Sequence, residues 1–131
     1  MLKKTITFTD YNGIERTETH YFNLNKAELM TMQLKASGAL DERIKKIVDA
    51  KDAPEIMSFF EELLEKSYGV KSEDGRRFIK SKELYDEFVQ SEAYPELFME
   101  LISSDTAAAD FIKGILPDLK DDSKPNLALN K

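Results

Sequence analysis

The chain has no cysteine, no tryptophan and a single histidine in 131 residues. Without cysteine, disulfides and thiolate metal sites are excluded, which is compatible with a reducing compartment. With His20 alone, metal ligation or a nucleophile–base pair lacks its usual imidazole partners. No apolar run approaches the ~20 residues a membrane helix needs. Met1-Leu2-Lys3-Lys4 leads into alternating threonine and apolar residues, not the continuous apolar stretch of a signal peptide. The protein is therefore expected to act where it is made. An excess of positive charge is missing too. Against 25 acidic residues stand 19 basic ones, a net charge of −6, which repels nucleic acid and anionic lipid overall. What is present is a globular composition, 41% hydrophobic and 34% charged. At this length one domain buries roughly 65–70% of its unfolded surface.

Lys4–Thr9 alternates β-branched and aromatic residues as strands do. Asp10-Tyr11-Asn12-Gly13 then carries the Asn-Gly signal of a two-residue hairpin turn. That turn sets Thr9 opposite Arg16 and Thr7 opposite Glu18. It also groups Ile6 and Phe8 with Thr17, Thr19 and Tyr21, leaving His20 on the other face. A lone hairpin is marginal in water, so the Ile6–Phe8 face is expected to lie on helices or another strand.

Asn25 and Glu28 are spaced as a capping box, with Leu24 and Leu29 at the positions of a hydrophobic staple. This first helix is expected to fade near Lys35–Gly38. Leu40, Ile44, Ile47 and Val48 mark a second helix, with Glu42 and Lys46 paired on its wet side. Pro54 restarts the chain after Asp52. Ile56, Phe59, Phe60, Leu63, Leu64 and Tyr68 form a wide apolar stripe, and Gly69 reads as the helix stop.

Val70–Lys80 reads as a polar loop around Glu73-Asp74-Gly75, with Arg76–Lys80 a candidate third strand for the hairpin. Ser81 caps a helix with Leu84, Tyr85, Phe88 and Val89 inward. Pro95 opens another with Leu97, Phe98, Leu101 and Ile102. Ser104 or Asp105 opens the last, with Phe111, Ile112, Ile115 and Leu116, and Pro117 ends it. The fold class is α+β: an N-terminal antiparallel β-hairpin, or a small sheet, packed on a bundle of five to six short helices. Residues 1–117 form one domain. Asp118–Lys131 is charged and turn-rich and is expected to be a disordered tail.

No pattern carries catalytic chemistry. Glu61, Glu62 and Glu65 flank a solvated helix face, whereas general acid–base work needs a carboxyl raised by burial. Gly69-Val70-Lys71-Ser72 lacks the adjacent Gly-Lys, the earlier glycine and the preceding strand of a phosphate loop. Asp10–Gly13 is too short for a calcium loop. Arg76, Arg77, Lys80 and Lys82, with Phe78 among them, make the one basic cluster. In an acidic chain it reads as a solvated loop or a docking patch for an acidic partner rather than a nucleic-acid site. Met57, Phe59, Phe60, Phe98, Met99 and Phe111 are mostly explained by core packing. Yet Met57 and Met99 widen their stripes beyond a narrow seam, as adaptable protein contacts do. The candidate partner-contact residues are therefore Met57, Phe60, Leu64, Arg76, Arg77, Phe78, Phe98, Met99 and Phe111. No cofactor or metal site is indicated.

Several stretches together resemble the tail assembly chaperones of long-tailed siphophages and related prophages. They are Asp10–Gly13, Tyr21-Phe22-Asn23-Leu24, Ala27-Glu28-Leu29, Pro54-Glu55-Ile56 and the long block Lys66–Ser81. Ser91–Tyr94, Glu96–Leu101, Ala107–Ala109, Phe111-Ile112 and Gly114-Ile115 complete the match, which spans about residues 1–117. The resemblance implies a non-enzymatic assembly factor. It would bind the tape measure protein, keep it soluble, help recruit tail tube subunits (the major tail protein), act in the host cytoplasm and be absent from the mature virion. A holdase needs exposed apolar surface and net negative charge to stay dispersed. Weak contacts along a long rod favour self-association through avidity. The alternative is a small prophage-encoded regulatory or adaptor protein with one folded partner.

Overall fold

The computed structural model describes residues 1–35, 49 and 53–117. The expected second helix, Leu40–Val48 with its Glu42–Lys46 pair, lies outside the described residues, as does Asp118–Lys131.

β1 (Leu2–Thr9) and β2 (Glu15–Phe22) pair antiparallel. Their register differs by one residue from the two-residue turn: Thr9 faces Glu15, Thr7 faces Thr17 and Ile6 faces Glu18. The cause lies in Asp10. Its carboxylate accepts the N–H groups of Asn12 (2.9 Å) and Ile14 (3.0 Å) and the Arg16 guanidinium (2.6 Å). Gly13, at φ +79, takes the left-handed position of a longer turn. A one-residue slip moves a whole strand's side chains to the other face. The inner face therefore carries Ile6 and Phe8 with Arg16, Glu18, His20 and Phe22. The outer face carries Thr5, Thr7, Thr17, Thr19 and Tyr21. Threonine hydroxyls meet there across the strands, Thr5–Thr19 at 3.1 Å and Thr7–Thr17 at 3.0 Å.

α1 (Lys26–Lys35) begins as its sequence specifies. Asn25 Oδ1 accepts the Glu28 N–H at 2.8 Å, and Glu28 Oε1 accepts the Asn25 N–H at 2.9 Å. Leu24 and Leu29 are both buried. α2 (Ala53–Ser67) carries Pro54 in its first turn and buries Phe59, Phe60, Leu63 and Leu64.

The chain after α2 departs from expectation. Tyr68 leaves the helix and starts β3 (Tyr68–Lys71), which pairs with β2 through Tyr21–Gly69 and Phe22–Tyr68. Gly69 is thus a strand residue, not a helix stop. It is glycine because a Cβ there would lie 2.5 Å from the Phe78 ring and 2.7 Å from the Ile79 carbonyl. β4 (Phe78–Ile79) pairs with β3 and not with the hairpin, so the sheet order is β1-β2-β3-β4. The tie between β3 and β4 repeats the Asp10 device. Asp74 Oδ1 accepts from the Ser72 hydroxyl and the Arg76 N–H, and Gly75 sits at φ +74.

α3 (Lys82–Val89) is capped by Ser81, whose hydroxyl accepts the Leu84 N–H. It buries Phe88 and half-buries Leu84 and Tyr85, but Val89 faces solvent. α4 (Ala93–Ser103) buries Leu97 and Leu101. α5 (Asp105–Ile115) is capped by Ser104 and buries Phe111 and Ile115. The buried and half-buried side chains among these join one core beneath the inner face of the sheet. Two main-chain bonds lock the β2–α1 junction to helix ends: Asn23 N–H to the Ser67 carbonyl (2.8 Å) and Leu24 N–H to the Ile115 carbonyl (2.9 Å).

Candidate functional site

His20 lies on the same face as Ile6 and Phe8, not the opposite one, because of the register. Its Nε2 is 3.1 Å from Glu18 Oε1 and its Nδ1 is 3.1 Å from the Tyr68 hydroxyl. The ring packs 4.7 Å from Phe88, which stacks in turn on Tyr68 at 4.5 Å. Burial pulls the His20 pKa below its ordinary 6.5, with Glu18 opposing that pull. Lys4 stands across the strand pair from it. The unfolded chain therefore binds the His20 proton more readily than the folded one. Stability from this group is present above pH 6.5 and falls as pH drops through 6.5 toward the folded pKa. Urea midpoints measured from pH 7.5 to 5.5 should decline, and His20→Asn should flatten that decline.

Glu61 and Glu65 are exposed on α2 and Glu62 is half-buried. Among the described residues no three His, Asp or Glu side chains come together as metal ligands would.

The basic cluster is divided by the fold. Lys80 turns inward: its Nζ donates to the Asn23 carbonyl (2.7 Å), the Lys66 carbonyl (2.7 Å) and both Glu28 carboxylate oxygens (2.8 Å each). Lys82 pairs with Asp86 on its own helix at 2.9 Å. Arg76 and Arg77 remain exposed on the β3–β4 loop. Phe78 is half-buried over Gly69, with Lys80 Nζ 5.7 Å from its ring centre.

The apolar candidates separate in the same way. Phe60, Leu64 and Phe111 are sealed in the core, at 5%, 0% and 2% exposure, so a partner meets them only if the core opens. Phe98 is half-buried and stacks on Tyr94 at 5.8 Å. Met57 on α2 and Met99 on α4 are open to solvent, at 41% and 56%. Of the candidates, Met57, Met99, Arg76 and Arg77 are therefore exposed, and Phe78 and Phe98 are half-buried.

One surface feature escaped sequence reasoning. A notch of about 320 Å³ opens between β1 and the α4–α5 corner. Leu2 and Lys4 line it from the strand, Glu100 from α4, and Thr106, Asp110 and Phe111 from α5. Lys4 Nζ binds Glu100 at 2.8 Å across it. These residues lie some hundred positions apart in the chain, so no local pattern announces them.

An α+β body with exposed methionines and arginines, a notched margin and, among the described residues, no metal-ligand cluster presents a surface suited to contact with other polypeptides. A family model described as phage tail assembly chaperone matches residues 1–125, and the chain belongs to that family. The match runs past residue 117, as far as residue 125. Searches of curated proteins and of solved structures each find no match. Membership implies protein partners in tail assembly. Among the described residues no helix is long and apolar enough to cross a membrane.

Proposed function

We propose that this chaperone binds the tape measure protein, keeps it soluble and helps recruit tail tube subunits around it. The observation that carries the reading is the family match over residues 1–125. Its place of action is then the host cytoplasm, and it leaves before the virion is complete. The surface supports the reading. Methionine side chains are flexible and polarizable, so Met57 and Met99 can adapt to varied apolar client segments. A net charge of −6 keeps chaperone and client dispersed while those segments are covered. Each such contact is weak, and several copies along one rod would act together by avidity. Light scattering that shows a strict monomer at high micromolar concentration would count against that last step.

The test is co-expression with the tape measure protein of the same phage. The expected result is a client that moves from the pellet to the soluble fraction. Met57→Asp with Met99→Asp should reduce that transfer by about fivefold while circular dichroism stays unchanged, because both side chains are exposed. A client that stays insoluble beside the wild-type chain would instead favour the adaptor reading, in which one folded partner is bound and nothing is solubilised.

A further inference from the structure

We infer that the outer edge of β1, with the notch beneath its first half, captures an extended basic segment of another polypeptide as an added strand. β1 is an edge strand in the order β1-β2-β3-β4, eight residues long, with unbroken register from Leu2 to Thr9. The bond from Asp10 N–H to the Ile14 carbonyl sets the alternation of the ladder. By that alternation Leu2, Lys4, Ile6 and Phe8 bond toward β2, while the N–H and C=O groups of Lys3, Thr5, Thr7 and Thr9 point away from it. The close Thr5–Thr19 and Thr7–Thr17 hydroxyl contacts agree, since non-hydrogen-bonded pairs bring side chains nearest. Lys3, Thr5, Thr7 and Thr9 are all exposed, and among the described residues no backbone bond reaches this edge. Such an edge is a template for strand addition.

The notch says what the added strand carries. Its only strand walls are Leu2 and Lys4 of β1, so it sits at the margin of the sheet, where an inward side chain of a fifth strand would descend. Its floor is apolar through Leu2 and Phe111. Its rim holds two carboxylates, Glu100 and Asp110, against one ammonium, Lys4. Lys4 and Glu100 satisfy one another, and Asp110 has no partner among the described residues. A lysine or arginine fits: its aliphatic stem lies on the floor and its charge meets Asp110. A second copy of the chain fits less well. Two-fold pairing of β1 with itself in its fuller registers sets Ile6 or Phe8 of the mate against Lys4 and leaves Asp110 unpaired. The inference goes beyond the client reading above, which needs no free strand edge.

The probe is a fluorescein-labelled, end-blocked peptide, Thr-Val-Thr-Val-Lys-Val, titrated with the full chain and followed by anisotropy. In the added strand the lysine and threonine side chains face inward and the valines face outward. Running antiparallel to β1 with its lysine opposite Lys4 over the notch, the peptide sets its valines opposite Lys3, Thr5 and Thr7 on their outer face, so the valine N–H groups are those that bond to β1. N-methylation of the three valines should weaken binding by about tenfold or more, while N-methylation of the lysine and threonines should change it less than about twofold. Replacing the peptide lysine by glutamate should cost about tenfold, and Asp110→Asn in the protein about fivefold for the lysine peptide alone. Asp110 is exposed, so that variant keeps its fold. No saturable binding, equal loss from both N-methylation patterns, or indifference to Asp110→Asn would each overturn the inference. So would peptide competition with a β1-dependent dimer, which would make a second copy the occupant.

Discussion

Replacing Phe22 with alanine is expected to lower stability by about 4 kcal/mol, within the range for truncating a buried phenylalanine. Phe22 is fully buried at the end of β2. Its ring meets Phe111 of α5 at 5.3 Å, Tyr68 of β3 at 5.5 Å and Phe88 of α3 at 5.9 Å, each edge-on. Such aromatic pairs add roughly 0.5–1.5 kcal/mol beyond simple burial. Three elements distant in the chain therefore lean on one side chain, and the cavity left by alanine has walls that cannot all close together. Against a typical total of about 5–15 kcal/mol, the loss should move the urea midpoint sharply at constant slope. Phe22→Leu should recover more than half of it. A loss below about 1.5 kcal/mol for the alanine variant would mean that the aromatic cluster is not the mechanical centre of the fold.

The second large effect is expected at Lys80. Methionine keeps its length and removes only the charge and its hydrogen bonds. Lys80 joins the end of β4 to the β2–α1 junction, the first turn of α1 and the last turn of α2. Its side chain is 23% exposed and that of Glu28 is 35%. Solvent therefore screens the pair partly, and the expected loss is about 2 kcal/mol rather than the larger figure for a deeply buried pair. Most of that loss comes from what is left behind: two carbonyls without a donor and a carboxylate without its cation. A double-mutant cycle of Lys80→Met with Glu28→Gln isolates the direct term. A coupling near zero would show that the carbonyl contacts alone hold Lys80 in place.

Much of the fold was legible because the deciding interactions are local. The Asn25–Glu28 box, the Ser81 and Ser104 caps and the restart at Pro54 each rest on residues within one helical turn. The stripes from Phe59 to Leu64 and from Leu97 to Leu101 follow helical periodicity, and both are buried. Misreadings arose where a side chain competed with a backbone rule. Asn12-Gly13 signals a two-residue turn, but the Asp10 carboxylate captures two nearby N–H groups and lengthens it, which moved His20 onto the inner face. Gly69 follows a helix and so resembles a stop. Its true constraint is the Phe78 ring and the Ile79 carbonyl, which reach it only after the chain has folded back. The contact candidates show the same limit. Periodicity places Met57 and Phe60 on one helix but does not tell which is covered, because the covering residues come from other elements.

By itself, then, the order of residues determined the class of fold, the helix starts, the net acidic charge and the family. All of these depend on composition or on neighbours a few positions apart. The tertiary structure alone decided the register of the hairpin, the four-stranded order, the inward turn of Lys80 and the notch between Lys4 and Asp110. Those depend on groups brought together from the two ends of the chain, whose meeting no local pattern encodes.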